Sequence, residues 1–121
     1  MYQTAVALKT FFSSFGLPAY SQDSVPDDVQ LPYIAYSVAE PEWDQKASIF
    51  AQVWDRTRSN TFISQKASQI IADVGRGKRL PLPGGWLYIW PENPQGQIQV
   101  DGDFRYAYIN LSINAYHFPG T

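Results

Sequence analysis

The feature that most constrains the fold of this chain is a long alternating segment near its C-terminus, residues 104–117. Its odd positions from Ala107 to Ala115 are apolar, while its even positions carry tyrosine, asparagine and serine. This period of two predicts a β-strand with one buried face. Fourteen residues at about 3.3 Å each extend roughly 46 Å. That length exceeds the diameter expected of a domain this size, so the strand must bend or project beyond its own core.

Two helices are predicted from apolar residues that recur at spacings of three and four. In the first helix this stripe runs over Ala5–Phe15 and stops before Gly16. The second helix is predicted to begin near Ser59 or Asn60, either of which can cap free amide groups, and to end at Val74. Its predicted buried stripe consists of Ile63, Ala67, Ile70, Ile71 and Val74.

Shorter alternating segments predict further strands. Tyr33–Val38 and Ala47–Trp54 are predicted to form an antiparallel hairpin, because only a short, proline-containing connection joins them. Ala19–Ser21 is a candidate edge strand, and Trp86–Trp90 is predicted as a short aromatic strand. The intervening residues 75–85 are predicted to be irregular, since they are rich in glycine and proline.

The segment Pro91–Asp103 is predicted to be a mobile loop with a role in contacts. Its thirteen residues include two prolines and two glycines, and that length is unusual for a connection in a compact domain. The order of elements predicts an α+β fold with a mostly antiparallel sheet of four to five strands and two helices packed on one face. No linker divides the chain, so we expect residues 1–121 to form a single domain.

The composition excludes several kinds of site. The chain has no cysteine, which excludes disulfides and thiol nucleophiles, and its one histidine, His117, excludes mechanisms that need two. Residues 75–79 lack the spacing of a phosphate-binding loop, and Asp101–Asp103 lacks the later ligands of a calcium loop. We therefore expect no catalysis, no cofactor and no metal, although paired carboxylates that meet in space stay open. No segment approaches the ~18 apolar residues of a membrane span.

Charge divides the chain into two unlike halves. Residues 1–44 hold six acids against one base, a balance of −5, and residues 45–121 hold eight bases against five acids, a balance of +3. Such asymmetry predicts two faces of opposite sign for self-association, or two differently solvated loops. The candidate contact residues are the acidic Asp23, Asp27 and Asp28 and the basic Arg76, Lys78 and Arg79. The total charge of −2 argues against a general nucleic-acid binder.

Aromatic residues make up 16% of the chain, and three of them lie on the even face of the last strand. Tyr106, Tyr108 and Tyr116 are expected to point away from the aliphatic core. Exposed aromatic rings in a row mark a binding platform or a protein interface. Alternatively, they form a second apolar layer, covered by the Trp86–Trp90 strand.

Several segments follow one another in a familiar order: a start helix, then Leu31–Tyr36, Ile49–Arg56, a helix of the type Ser64–Val74, and the closing strand Arg105–Leu111. In order and length they resemble the small tail terminator and tail completion (minor capsid) proteins of long-tailed bacteriophages. The resemblance covers residues 2 to 117 and includes no active-site motif.

This resemblance implies a structural virion protein that forms a ring, usually a hexamer, at the head-proximal end of the tail tube. The ring would end tube growth and provide the surface for head–tail joining. The implied partners are further copies of the chain, the tail tube protein and the head connector or neck protein. The resemblance implies no catalysis, cofactor or membrane, and no specific nucleic acid, with DNA able to pass through the ring. It also implies assembly in the host cytoplasm and a place in the tail or neck of the virion.

Two alternatives of a different class stay open. The first is a small carbohydrate-binding module, which would stack sugars on coplanar tryptophan and tyrosine rings. The second is a single-strand nucleic-acid binder, which has the stacking residues but would need an electropositive groove as well. Within the phage class, another neck protein of similar fold is the alternative to a terminator.

Overall fold

The computed structural model describes residues 2–118. The helices are α1 (Tyr2–Phe12), which a short 3-10 turn at Ser13–Phe15 continues, and α2 (Thr61–Val74). The strands are β1 (Ala19–Ser21), β2 (Tyr33–Tyr36), β3 (Lys46–Arg56), β4 (Lys78–Leu82), β5 (Gly85–Asp101) and β6 (Phe104–His117).

All of these strands belong to one sheet in the order β1-β2-β3-β6-β5-β4. The outermost pair β1 and β2 is parallel, and every other pair is antiparallel. The predicted α+β class is therefore confirmed, but the sheet has six strands rather than four to five. The additional strand is β4, which lies in a stretch that its glycine and proline content predicts to be irregular.

The long last strand occupies the centre of the sheet. It pairs with β3 from Asn114, opposite Lys46, to Phe104, opposite Arg56. On its other side it pairs with β5 over almost its whole length. The sheet curls into a half-barrel, and this curvature lets the long strands follow the core.

The prediction that Pro91–Asp103 is a mobile loop is wrong, because this segment continues the strand that begins at Gly85. The register shifts between the pairs Pro91–Leu111 and Gly96–Ile109, so the first proline and glycine mark an irregularity within β5. The glycine at position 102 has φ of 59° and opens the tight turn into β6. A positive φ at the first central residue fits a type II′ turn, which suits an antiparallel hairpin.

The prediction that residues 75–85 are irregular is wrong over Lys78–Leu82, which forms β4, while residues 75–76 and 83–84 are turns. Lys78–Leu82 pairs with the first residues of β5, and Pro83-Gly84 forms the turn between the two strands. Gly84 has φ of 81°, as the second central residue of a type II turn requires. Pro81 is compatible with β4 because this strand lies at the edge of the sheet, where a missing amide proton breaks no ladder bond.

A single apolar core lies between the inner face of the sheet and both helices. The odd residues of β3 and β6 share this face, as the pairs Ile49–Leu111 and Ala51–Ile109 illustrate. The helices contribute Leu8, Phe11 and Phe12 from α1 and Ile63, Ala67, Ile70 and Val74 from α2. Ile71, also predicted to be buried, is only partly buried and packs at the margin of the core.

Replacement of Ile70 by alanine should lower the free energy of unfolding by about 2–5 kcal/mol, because this fully buried side chain would leave a cavity. Chemical denaturation followed by tryptophan fluorescence measures the change. Ile71→Ala is the matched control, and we expect it to cost less than about 2 kcal/mol since that side chain is only partly buried. Equal costs for the two variants would contradict the assigned core face.

Candidate functional site

The outer face of the sheet presents aromatic side chains, and neither helix packs on it. Side chains alternate between the two faces of a strand, so the even residues of β3 and β6 point away from the core. Tyr106, Tyr108 and Tyr116 all lie on this outer face, as the sequence predicts. The strand that contains Trp86 lies beside them in the same sheet and forms no covering layer.

One part of the outer face is a stack of three rings from neighbouring strands, Tyr33, Trp54 and Tyr106, which we call the Trp54 stack. Tyr33 and Trp54 are 6.4 Å apart between ring centroids with an interplanar angle of 7°. Trp54 and Tyr106 are 4.3 Å apart with an angle of 25°. Because β3 lies between β2 and β6, Trp54 has one ring on each side. Phe50 and Tyr108 stack beside them at 5.0 Å.

A second aromatic group, the Trp86 cluster, consists of Arg79, Trp86, Tyr88 and Tyr116 at the other end of the face. Trp86 pairs with Tyr116 in register, and their side chains are 36% and 41% exposed. The guanidinium carbon of Arg79 lies 5.0 Å from the centroid of the Trp86 ring, within cation–π range. Tyr88 and Tyr116 meet edge to face at 6.4 Å.

Between the two aromatic groups lies a polar centre built around the carboxylate of Glu92. Its Oε1 accepts hydrogen bonds from Ser112 Oγ at 2.8 Å and from Trp90 Nε1 at 3.0 Å. The ammonium nitrogen of Lys46 lies 3.3 Å from the same oxygen. The hydrogen bond from Ser112, followed by the contact with Lys46, lowers the pKa of the Glu92 carboxyl below its usual value.

The structure separates the three predicted basic residues. Arg76 lies exposed in the turn after α2, whereas Lys78 and Arg79 are successive residues of β4 and therefore point to opposite faces. Lys78 Nζ forms an ion pair with Asp73 Oδ2 at 2.7 Å. Its charge is thus already paired within the chain, while Arg79 faces outwards against Trp86.

The three predicted acidic residues lie together in the connection between β1 and β2. Asp23 accepts a hydrogen bond from Ser21 Oγ at 2.6 Å, and this bond is the main reason that the pKa of Asp23 is lowered. Asp27 lines an open groove together with Tyr33 and Trp54. Because β1 and β4 are the two outermost strands, the acidic connection and the basic strand lie at opposite edges of the sheet.

Sequence reasoning missed Tyr33, Phe50, Trp54 and Glu92 as parts of this surface. The even positions of the β3 segment mix polar and aromatic residues, and that mixture alone indicates no particular face. Only the register, which sets Trp54 opposite both Tyr33 and Tyr106, brings these rings together.

Within residues 2–118, no group of three or more histidine or acidic side chains lies close enough to hold a metal ion. His117 lies at the surface, where its Nδ1 is 3.4 Å from Asp44 Oδ2. In the same residues no helix is long and apolar enough to cross a membrane.

Comparisons with known proteins give a likeness of fold alone. No family model matches the chain, and no curated protein matches it. One solved protein, whose name describes no function, superposes with a TM-score of 0.67 over 95% of this chain and 94% of its own. The two sequences are 13% identical, so this likeness supports the architecture and says nothing about activity.

The free energy of unfolding should decrease as the pH is lowered, and protonation of Glu92 should be one of the causes. Because the pKa of this carboxyl is lower in the folded protein than its usual 4.5, the charged form stabilises the fold above that value. The contribution is lost as the pH falls through the lower, folded-state pKa. Glu92→Gln should therefore flatten the dependence of the urea midpoint on pH in this acidic range.

Two serine variants provide the control for that measurement. Ser112→Ala removes the hydroxyl that donates to Glu92 and should also weaken the acid dependence. Ser48 pairs with Ser112 in register on the neighbouring strand, and Ser48→Ala should leave the acid dependence as it is. An unchanged pH profile in Glu92→Gln would show that this contact does not affect folding.

Proposed function

We propose that this protein is a structural virion subunit of a long-tailed bacteriophage, which forms a ring at the head-proximal end of the tail tube. The ring ends tube growth and provides the surface for head–tail joining. Another neck protein of similar fold is the alternative within the same class. The proposal combines the order of segments in the sequence with the geometry of the outer sheet face.

The observation that carries the proposal is the aromatic outer face. A sheet in a monomeric domain normally presents a polar face to water when the other face is buried. Here the Trp54 stack and the Trp86 cluster lie on the face that neither helix covers. Tyrosine, tryptophan and arginine are enriched in protein interfaces, and large exposed patches of this kind mark contact sites. The face suits contact with the tail tube or with a neck protein.

The placement of charge supports contact between copies of the chain. Ring contacts are heterologous, which means that they join two different patches of the same subunit. The acidic connection with Asp23, Asp27 and Asp28 and the basic residues Arg76 and Arg79 lie at opposite edges of the sheet. Opposite charges at opposite edges can meet when one copy follows another around a ring.

The orientation of the aromatic side chains favours a protein contact over sugar stacking. A sugar-binding platform needs the flat face of a ring to be open to the ligand. In the Trp54 stack, Tyr33 and Tyr106 lie on the two sides of Trp54, and Arg79 lies over the ring of Trp86. Trp54 is therefore open only at its edges, and Trp86 is open at its edges and on one face. The two side chains do not form a flat platform.

The proposal needs no cofactor, metal or membrane. Its partners are further copies of the chain, the tail tube protein and the head connector or neck protein, with DNA able to pass through the ring. The protein would be assembled in the host cytoplasm and remain in the tail or neck of the virion.

Ring formation should depend on Arg76 and Arg79 and not on Lys78. Light scattering across a range of concentrations should detect a particle of several times the chain's 13.7 kDa, and electron microscopy should show rings. The double variant Arg76→Ser, Arg79→Ser should assemble about tenfold more slowly at low ionic strength, because charge complementarity speeds encounter. Added salt should reduce the difference, since it screens exposed charges.

Lys78→Ser is the matched control, because this neighbouring base is already paired with Asp73 inside one subunit. It should cost some stability and leave the assembly rate unchanged. A protein that stays at 13.7 kDa at every concentration, forms no rings and quenches its tryptophan fluorescence on titration with oligosaccharides would contradict the proposal and favour the sugar-binding module.

A further inference from the structure

Within residues 2–118, the outermost strands β1 and β4 and the far half of β5 (residues 96–101) present unpaired backbone edges, and the far half of β5 lacks the usual protection against pairing with another strand. Exposed edges are normally blocked by short length, charge, proline or a covering group. The edge strand β1 has only three residues, and the ammonium group of Lys9 donates a hydrogen bond to its Ala19 carbonyl. The edge strand β4 carries Lys78, Arg79 and Pro81.

The third edge is the far half of β5. Strand β4 pairs with β5 only as far as Ile89, so residues 96–101 have β6 on one side and no described strand on the other. This part of β5 contains the run Gln97–Val100, which has no charge, proline or glycine. Nothing in its sequence discourages a further strand.

The tight turn at residues 102–103 determines which backbone groups face the free edge. Residues that flank a two-residue turn exchange hydrogen bonds, and such pairs recur at every second residue along the hairpin. The odd residues from Gln97 to Asp101 therefore bond to β6. The even residues direct their N–H and C=O groups to the free edge: Gly96, Ile98 and Val100.

We propose that this edge pairs with the same edge of a second copy, antiparallel and about a two-fold axis at Ile98. The outward-facing residues then oppose one another as Gly96 with Val100, Ile98 with Ile98, and Val100 with Gly96. In each of these pairs, the N–H group of either residue can donate a hydrogen bond to the C=O group of the other. The pairing joins two sheets into one continuous sheet.

The inner side of this edge is self-complementary in shape. Val100 is 61% exposed, and in the proposed pairing it lies opposite Gly96 of the second copy. Gly96 has no side chain and opens a groove of about 230 Å³ that Ala67 and Ile71 also line. A valine from the second copy can fill this groove. This fit explains why Ile71, which belongs to the apolar stripe of α2, is only partly buried in one copy.

The proposed pairing is separate from the proposed ring. An isologous contact closes after two copies, whereas a ring needs a heterologous one. About five residues a side are far fewer than the roughly 20–30 a side of a stable interface. We therefore expect a dimer that dissociates on dilution, and its presence does not depend on the function proposed above.

Amide hydrogen exchange resolved by NMR tests the pairing residue by residue. At high protein concentration the amides of Ile98 and Val100 should exchange more slowly than in dilute protein, because they then bond to the second copy. The amides of Gln97 and Gln99 should show no such dependence, since they bond to β6 at all concentrations. If Ile98 and Val100 exchange at the same fast rate at every concentration, the edge is unpaired and the proposal is wrong.

A pair of variants tests the shape of the contact by sedimentation. Gly96→Val places its Cβ 3.6 Å from Ile71 Cδ1, an ordinary contact distance, so the monomer should fold while the groove is filled. This variant should raise the dimer dissociation constant at least tenfold. The control Gln99→Val adds the same side chain to the opposite face of β5, away from the groove, and should retain the dimer.

Two outcomes would overturn the proposal. Equal dissociation constants for Gly96→Val and the unaltered protein would show that the groove is not part of the contact. Protection of Ile98 only in a particle larger than a dimer, and never in a dimer, would assign the edge to the ring instead. A ring that fails to form while the dimer persists would contradict the proposed function and leave this pairing standing.

Discussion

The pairing of β3 with β6 is the constraint on which the rest of this molecule depends. Eleven residues of β3 lie opposite eleven of β6 without a shift in register, and this sets odd residues against odd residues along the centre of the sheet. A slip of one residue would move every apolar side chain of one strand to the opposite face. The same register that buries Ala51 against Ile109 therefore also brings Trp54 beside Tyr106 on the outer face.

This arrangement gives each part of the sheet a different role. The inner face and both helices supply the buried core, so stability does not require the outer face to be covered. The outer face presents rings that already contact one another, and this preorganisation would lower the entropy lost on binding of the proposed partner. The edges hold the opposite charges and an unprotected segment of β5, so the proposed ring and the proposed dimer involve different parts of the chain.

Periodic segments could be predicted from the sequence, and segments rich in proline and glycine could not. The stripe of α2 and the alternation of β6 depend on neighbouring residues alone, and the structure contains both elements. The sequence does not predict β4 or the continuation of β5 beyond Trp90, because Pro81, Pro91 and Gly96 are local signals for a loop. Each is accommodated by a feature that only the sheet defines: an edge position for Pro81, and the register shift for Pro91 and Gly96.

The candidate site shows the same limit. The sequence alone assigns Tyr106, Tyr108 and Tyr116 to the outer face, because alternation within one strand is visible in a sequence. Their partners Tyr33 and Trp54 come from strands whose alignment depends on distant pairing, so no local pattern identifies them. Lys78 and Arg79 form one basic cluster in the sequence because they are adjacent, but the pleat of β4 directs them to opposite faces of the sheet.

The central position of β6 has a consequence for the order in which the chain can fold during its synthesis. Of the elements that the structure describes, β6 is the last to be made, yet β3 and β5 both need it as their neighbour. Until residues 104–117 have left the ribosome, β3 has no neighbouring strand on the edge that pairs with β6. Translation proceeds at about 5–20 residues per second, so β3 remains without β6 for several seconds after its own synthesis. Folding of the sheet therefore cannot be completed before residues 104–117 are outside the ribosome, and protection of the nascent chain during that interval falls to chaperones.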